Sequence, residues 1–145
     1  MKCFAKLSLI VVSIAVLAGN AFAGDSGKKL FVNLTSNEMN RAAMAISFST
    51  RVLTQKQMPA TIFLNVDGVR LVNKNIPGSR HVNGKTLQEM LTAFMANGGK
   101  VIACPMCMKN VGGMTKDDLI DGVVVGGSDV TWPALFADNT TVLNY

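Results

Sequence analysis

The sequence predicts an α/β layered fold with a mostly parallel central sheet of about five strands. Two observations carry this. From residue 29 onward, apolar runs of strand length alternate with stretches of helical periodicity, as in successive βαβ units. Most of the strand runs are apolar at consecutive rather than alternate positions, as in a parallel sheet covered on both faces.

The first strand is read at residues 29–34, and Thr35-Ser36-Asn37 ends it and offers caps for a helix. Met39, Ala42, Ala43, Ala45, Ile46, Val52 and Leu53 recur at helical spacing, and Pro59 stops that helix. Residues 60–66 form a second strand, apolar on both faces and closed by Asp67-Gly68. Residues 69–72 fit either a short helix or an extension, and 73–84 is a polar loop with Pro77-Gly78 and Asn83-Gly84. Thr86 with Glu89 three residues on is a capping box. Leu87, Met90, Leu91, Phe94 and Met95 make the stripe of its helix, which Asn97-Gly98-Gly99 closes. A third strand runs over 100–103. A short helix follows at 115–120, favoured by Asp117 and Asp118 at its start. A fourth strand is read at 123–125, a helix near 132–137 and a closing strand at 141–145.

The fold begins after a leader. Lys2 and Lys6 precede an apolar stretch at 7–18, and Ala21-Phe22-Ala23 is a small-x-small cleavage pattern. This reads as a signal peptide, 1–23, with a single domain at 24–145 and a periplasmic or secreted product. Cys3 precedes the apolar stretch, which argues against a lipoprotein. No later stretch is long and apolar enough to span a bilayer, so no membrane association is expected after cleavage. The formal charge of +5 loses Lys2 and Lys6 with the leader. The remaining basic residues are scattered among one Trp and one Tyr, poor material for a nucleic-acid surface.

Of the three cysteines, cleavage leaves Cys104 and Cys107, set in Cys104-Pro105-Met106-Cys107-Met108 at the carboxyl end of the third strand. In open parallel sheets that end is where working sites lie. A helical turn after Cys104 places both thiols on one face, and Pro105 suits its first position. Cys104 then sits where free N–H groups and the helix dipole favour a thiolate, with Lys109 nearby. One tight pair closes too small a loop to stabilise a domain much, so its role is chemical. The pair can form a disulfide, hold a soft metal or pass sulfur. Zinc wants four ligands, and no second pair or histidine cluster supplies them. A thioredoxin-type site would sit after an early strand. Cu(I) remains possible through Cys104, Met106, Cys107, Met108 and Met114, whose thiolates and thioethers are soft ligands. Met39, Met44, Met90 and Met95 instead fit helix core stripes. His81, in the polar loop beside Arg80, reads as a solvated side chain, and Ser79 has no partners for a triad.

The opening strand, Pro59-Ala60-Thr61-Ile62-Phe63-Leu64 with Asp67-Gly68-Val69, the segment Gly99-Lys100-Val101-Ile102-Ala103-Cys104, Gly112 and the closing strand stand in a recognisable order. In this the chain resembles the DsrE/DsrF-like family, which includes sulfur-relay subunits of the TusD type. The resemblance implies a three-layer α/β sandwich. It implies a persulfide carried on Cys104, exchange with a sulfur-donor or acceptor protein, and assembly as homo-trimers or hexamers. Cys107 has no fixed counterpart in the sulfur carriers, and the leader places this chain outside the compartment where the known relays mostly work. The expectation is an exported sulfur or thiol carrier rather than a turnover enzyme. Cys104 is its acceptor nucleophile, Cys107 its resolving thiol, and no organic cofactor is needed. The alternatives are a Cu(I)-binding protein and an assembly module with structural cysteines.

Overall fold

The computed structural model describes residues 27–145; the leader read at 1–23 lies outside the described residues. Strands β1 (Lys29–Leu34), β2 (Ala60–Leu64), β3 (Lys100–Ala103), β4 (Val124–Val125) and β5 (Thr140–Asn144) form one sheet in the order β4-β3-β2-β1-β5. Every pairing is parallel. The register runs Leu30 to Ala60, Leu64 to Ala103 and Ala103 to Val125, so β1, β2 and β3 end at a common level.

The order explains the layers. From β1 to β4 the chain steps in one direction across the sheet, and right-handed crossovers place those connections on one face. Helices α1 (Met39–Gln55) and α2 (Leu87–Ala96) pack there against each other. Leu30, Val32, Leu34, Ile62, Leu64, Val101 and Ala103 meet Ala42, Ala43, Ala45, Ile46, Leu91 and Phe94 in a single core. The last connection returns to the far side of β1, so its short helix falls on the opposite face. Residues of α4 (Thr131–Leu135) and its flanks line a cleft there with Lys29, Thr61 and Lys100. That face is thinly covered. Phe31 and Ile102 are buried, but Trp132, Phe136, Val124 and Val142 are exposed. Phe31 and Phe63 meet there in a tilted pair, with ring centroids 6.0 Å apart and planes at 36°.

The sequence reading needs correction at several boundaries. The cap of α1 is Glu38, not a residue of Thr35-Ser36-Asn37: its carboxylate accepts from the N–H groups of Asn40 and Arg41, while Ser36 Oγ accepts from the Glu38 N–H. Met44 is 55% exposed, off the stripe that Ala42, Ala43, Ala45 and Ile46 bury. Strand β2 stops at Leu64, because the chain turns into a 3₁₀ helix at Val66–Val72. Its Thr61 and Phe63 are only half buried, so β2 alternates rather than being closed on both faces. The helix read at 115–120 is a single 3₁₀ turn, Lys116–Asp118, held by Asp118 accepting from Thr115. The fourth strand keeps two residues, since only Ile102 and Ala103 pair with it. The capping box of α2 is present with both its hydrogen bonds, Thr86 with Glu89.

Candidate functional site

Cys104 continues β3 by one residue, and its N–H donates to Leu64 O at 2.9 Å, as a strand residue would. Its φ and ψ, −68° and 116°, are still extended, and Pro105 opens the turn after it. A three-residue helix, α3 (Pro105–Cys107), passes directly into a wider π-type turn at Met108–Gly112. Met108 donates to Cys104 O at 2.8 Å. Gly113 closes the turn in the left-handed region at φ 59°, where lacking a Cβ matters. One helical turn therefore separates the two cysteines, and their side chains are hydrogen-bonded to each other. Both are free thiols, half buried at the margin of the core.

The two thiols are not equivalent. Burial pushes the Cys107 thiol above its ordinary value. The backbone N–H of Val66 donates to its sulfur and pulls the other way, and the neighbouring Cys104 sulfur adds to the rise. Cys107 thus keeps its proton at neutral pH and offers it toward Cys104. The exposed side chains of Met106, 67%, and Val66, 47%, stand around the pair.

The connection after β2 builds the second wall of the site. Asn65 donates to Leu34 O through its backbone at 3.1 Å. Its side-chain amide donates to Asn33 Oδ1, and Asn33 Nδ2 donates to Asn144 Oδ1 at 2.9 Å. This amide row ties the ends of β5, β1 and β2. Gly68 then packs on the carboxyl end of β1, where a Cβ would stand 2.3 Å from Leu34 O. Arg70 clamps the two walls together: Nη2 donates to Val111 O, in the π turn, at 2.6 Å, and Nε lies 3.3 Å from Asp67 Oδ1.

The structure brings together Cys104 and Cys107 and leaves the other candidates apart. Met108 and Met114 are 4% and 5% exposed and belong to the core, so their thioethers serve packing, while Met106 is exposed beside the thiols. Among the described residues no group of three or more His, Cys, Asp and Glu is placed to hold a metal ion; a soft cation would depend on the two thiols. His81 sits in the loop before α2, where its N–H donates to Lys85 O and its carbonyl accepts from Gly84. Asp118 is engaged with Thr115 and Asn75, which hold its carboxyl below the usual range. A cleft of about 260 Å³ between α1, Arg70 and the start of α2 includes neither thiol. Sequence reasoning missed Val66 and the amide row. Asn33 and Asn65 carried a faint signal, as polar residues at the ends of two apolar runs, whereas nothing in the sequence marks Val66 as a donor.

Comparison with known proteins agrees with this architecture. The family model described as DsrE/DsrF-like matches residues 28–144. The YchN protein of E. coli shares the fold at a TM-score of 0.65 and 22% identity, over 81% of this chain and 99% of its own. The protein MTH1491 of Methanobacterium thermoautotrophicum does so at 0.64 and 15% identity, over the same shares of 81% and 99%. No curated protein matches the chain.

Proposed function

The chain belongs to the DsrE/DsrF-like family, and from that premise we propose that it is an exported carrier of sulfur, which Cys104 accepts as a persulfide and Cys107 resolves. Family membership supports a sulfur-relay type of function. The observation that carries the finer reading is the asymmetric thiol pair. Cys104 lies at the end of β3, and Cys107, one turn on, holds its proton and is hydrogen-bonded to it.

The chemistry follows. The Cys104 thiolate attacks the outer sulfur of a donor persulfide. A new S–S bond forms on Cys104 and the donor leaves as its thiolate, so no external oxidant is required. Cys107 is then placed to reach the inner sulfur of the loaded group. The thiols lie at a surface margin beside exposed Met106 and Val66, a setting that suits a protein donor or acceptor. Export rests on the leader pattern at 1–23. Self-association as a trimer or hexamer is supported by the exposed Trp132, Phe136 and Val142 on the thinly covered sheet face.

The test is intact mass after exposure to a sulfane-sulfur donor. The wild-type protein gains sulfur and Cys104→Ser does not; equal loading of the two would remove Cys104 from the role. The same spectra under native conditions separate the alternative of Cu(I) held by the two thiols, which appears as retained copper lost in Cys104→Ser/Cys107→Ser.

A further inference from the structure

Val66 occupies the left-handed region at φ 49°, and among the described residues it is the one β-branched residue with positive φ. That conformation is unfavourable for a branched side chain. Burial does not offset it here, because Val66 is 47% exposed. Asparagine or glycine would take the same backbone at less cost. The surroundings over-determine the turn instead. Asn65 is fixed to Leu34 O and to the amide row. Two residues after Val66, Gly68 donates to Thr35 O at 3.1 Å and to Asn65 O at 2.9 Å, hard against the β1 backbone. Between these anchors the Val66 peptide is rotated so that its N–H points at the Cys107 sulfur. Strain held in place by its neighbours and aimed at a reactive atom is the pattern of a functional backbone group.

We propose that the Val66 N–H is a catalytic donor, which stabilises Cys107 as a thiolate when it discharges sulfur from Cys104. This rests on the carrier reading above and assigns the release step. The Cys107 thiolate attacks the inner sulfur, Cys104 Sγ, of the persulfide. The Cys104–Cys107 disulfide forms, the bond to the outer sulfur breaks, and hydrosulfide leaves with the electron pair. Burial keeps Cys107 protonated at rest, so a loaded protein does not discharge at once. A thiol of high pKa is also the stronger nucleophile once ionised. The Val66 N–H is a fixed dipole directed at the sulfur that must lose its proton before it can attack, and it favours the ionised form that burial opposes.

Two measurements test this. In the reduced, unloaded protein, the Val66 amide proton resonance is followed from pH 7 to 11. It should shift with the Cys107 titration and stay still in Cys107→Ala; an amide indifferent to Cys107 overturns the proposal. For the release step, protein loaded with sodium polysulfide is followed by hydrosulfide release and by intramolecular disulfide formation. Replacing the peptide linkage at Val66 by an ester, through semisynthesis, removes the N–H and keeps the side chain. That variant should release hydrosulfide at least tenfold more slowly than wild type, and release at the wild-type rate overturns the proposal. Should the ester variant not fold, the amide titration decides. Should the wild type fail to load, the carrier reading falls, and the amide titration still decides whether Val66 serves Cys107.

Discussion

Substituting Gly68 by alanine tests whether the turn after β2 is fixed as tightly as its role requires. The new Cβ would stand 2.3 Å from Leu34 O and 3.2 Å from the Leu34 carbonyl carbon. Both are backbone atoms at the end of β1, where no side chain can swing away. Overpacking of this kind costs about 1–3 kcal/mol, occasionally more. Relief by moving residue 68 would also weaken its hydrogen bonds to Thr35 O and Asn65 O, about 1 kcal/mol each. A loss of about 3–5 kcal/mol is expected, a large part of the roughly 5–15 kcal/mol that holds a domain folded. The comparison variant is Gly84→Ala, where φ is +80° but nothing lies within 4 Å of the new atom; backbone strain alone sets its cost at about 1–2 kcal/mol. Urea unfolding followed by far-ultraviolet circular dichroism measures both. If Gly68→Ala costs no more than Gly84→Ala, the packing of this turn on β1 is not what fixes it. A second consequence concerns the site: displacing Val66 removes the donor from Cys107, so alkylation of that thiol should change in Gly68→Ala and not in Gly84→Ala.

Two further outcomes follow from the same geometry. Arg70→Met keeps an apolar stem but removes the donor to Val111 O; a charged hydrogen bond of this kind is worth about 1.5–3 kcal/mol, and its loss should appear as lower stability together with faster alkylation of the thiols, whereas unchanged alkylation would show that the two walls are held by other contacts. The Cys107 thiol titrates above its ordinary value in the folded protein, so the native state binds that proton more tightly than the unfolded chain. The resulting stability is complete below about pH 8.5, the value of a free thiol, and is lost as the pH rises through the raised Cys107 titration. Urea midpoints measured from pH 7 to 10 should therefore fall more steeply for wild type than for Cys107→Ala, and parallel slopes would contradict the assignment.

The fold was largely legible because its signals are local and repeated. The alternation of apolar runs with helical stripes, the Thr86/Glu89 capping box and the Pro105 turn each act over a few residues, and each is present as read. The misread boundaries are those where a distant contact overrides local preference. Strand β2 ends two residues early because Gly68 must reach the β1 backbone. Strand β4 is short because β3 offers it only two partners. The proximity of the two cysteines was legible, since spacing alone puts Cys104 and Cys107 one turn apart. The partner from the second crossover was not: a valine after an apolar run reads as strand, and its left-handed backbone is imposed by Asn65 and Gly68, whose partners lie in β1.

The proposed division of labour between the thiols follows from which crossover supplies each part. Cys104 is placed by the sheet itself, through its strand-like bond to Leu64 O, so its position is as fixed as β3. Cys107 is placed by the short turn that follows, and its sulfur is met by a backbone group from a different crossover, the one after β2. Arg70 joins those two crossovers by a single hydrogen bond to Val111 O. An acceptor sulfur needs a rigid mount, because a partner must find it. A releasing sulfur must instead be quiet at rest and competent on demand. The burial that holds the Cys107 proton supplies the first condition, and the opposing Val66 N–H supplies the second. A sulfur carrier with Cys104 alone would depend wholly on its acceptor for release; under the proposed mechanism, Cys107 beneath the Val66 N–H would let the same fold govern release from within.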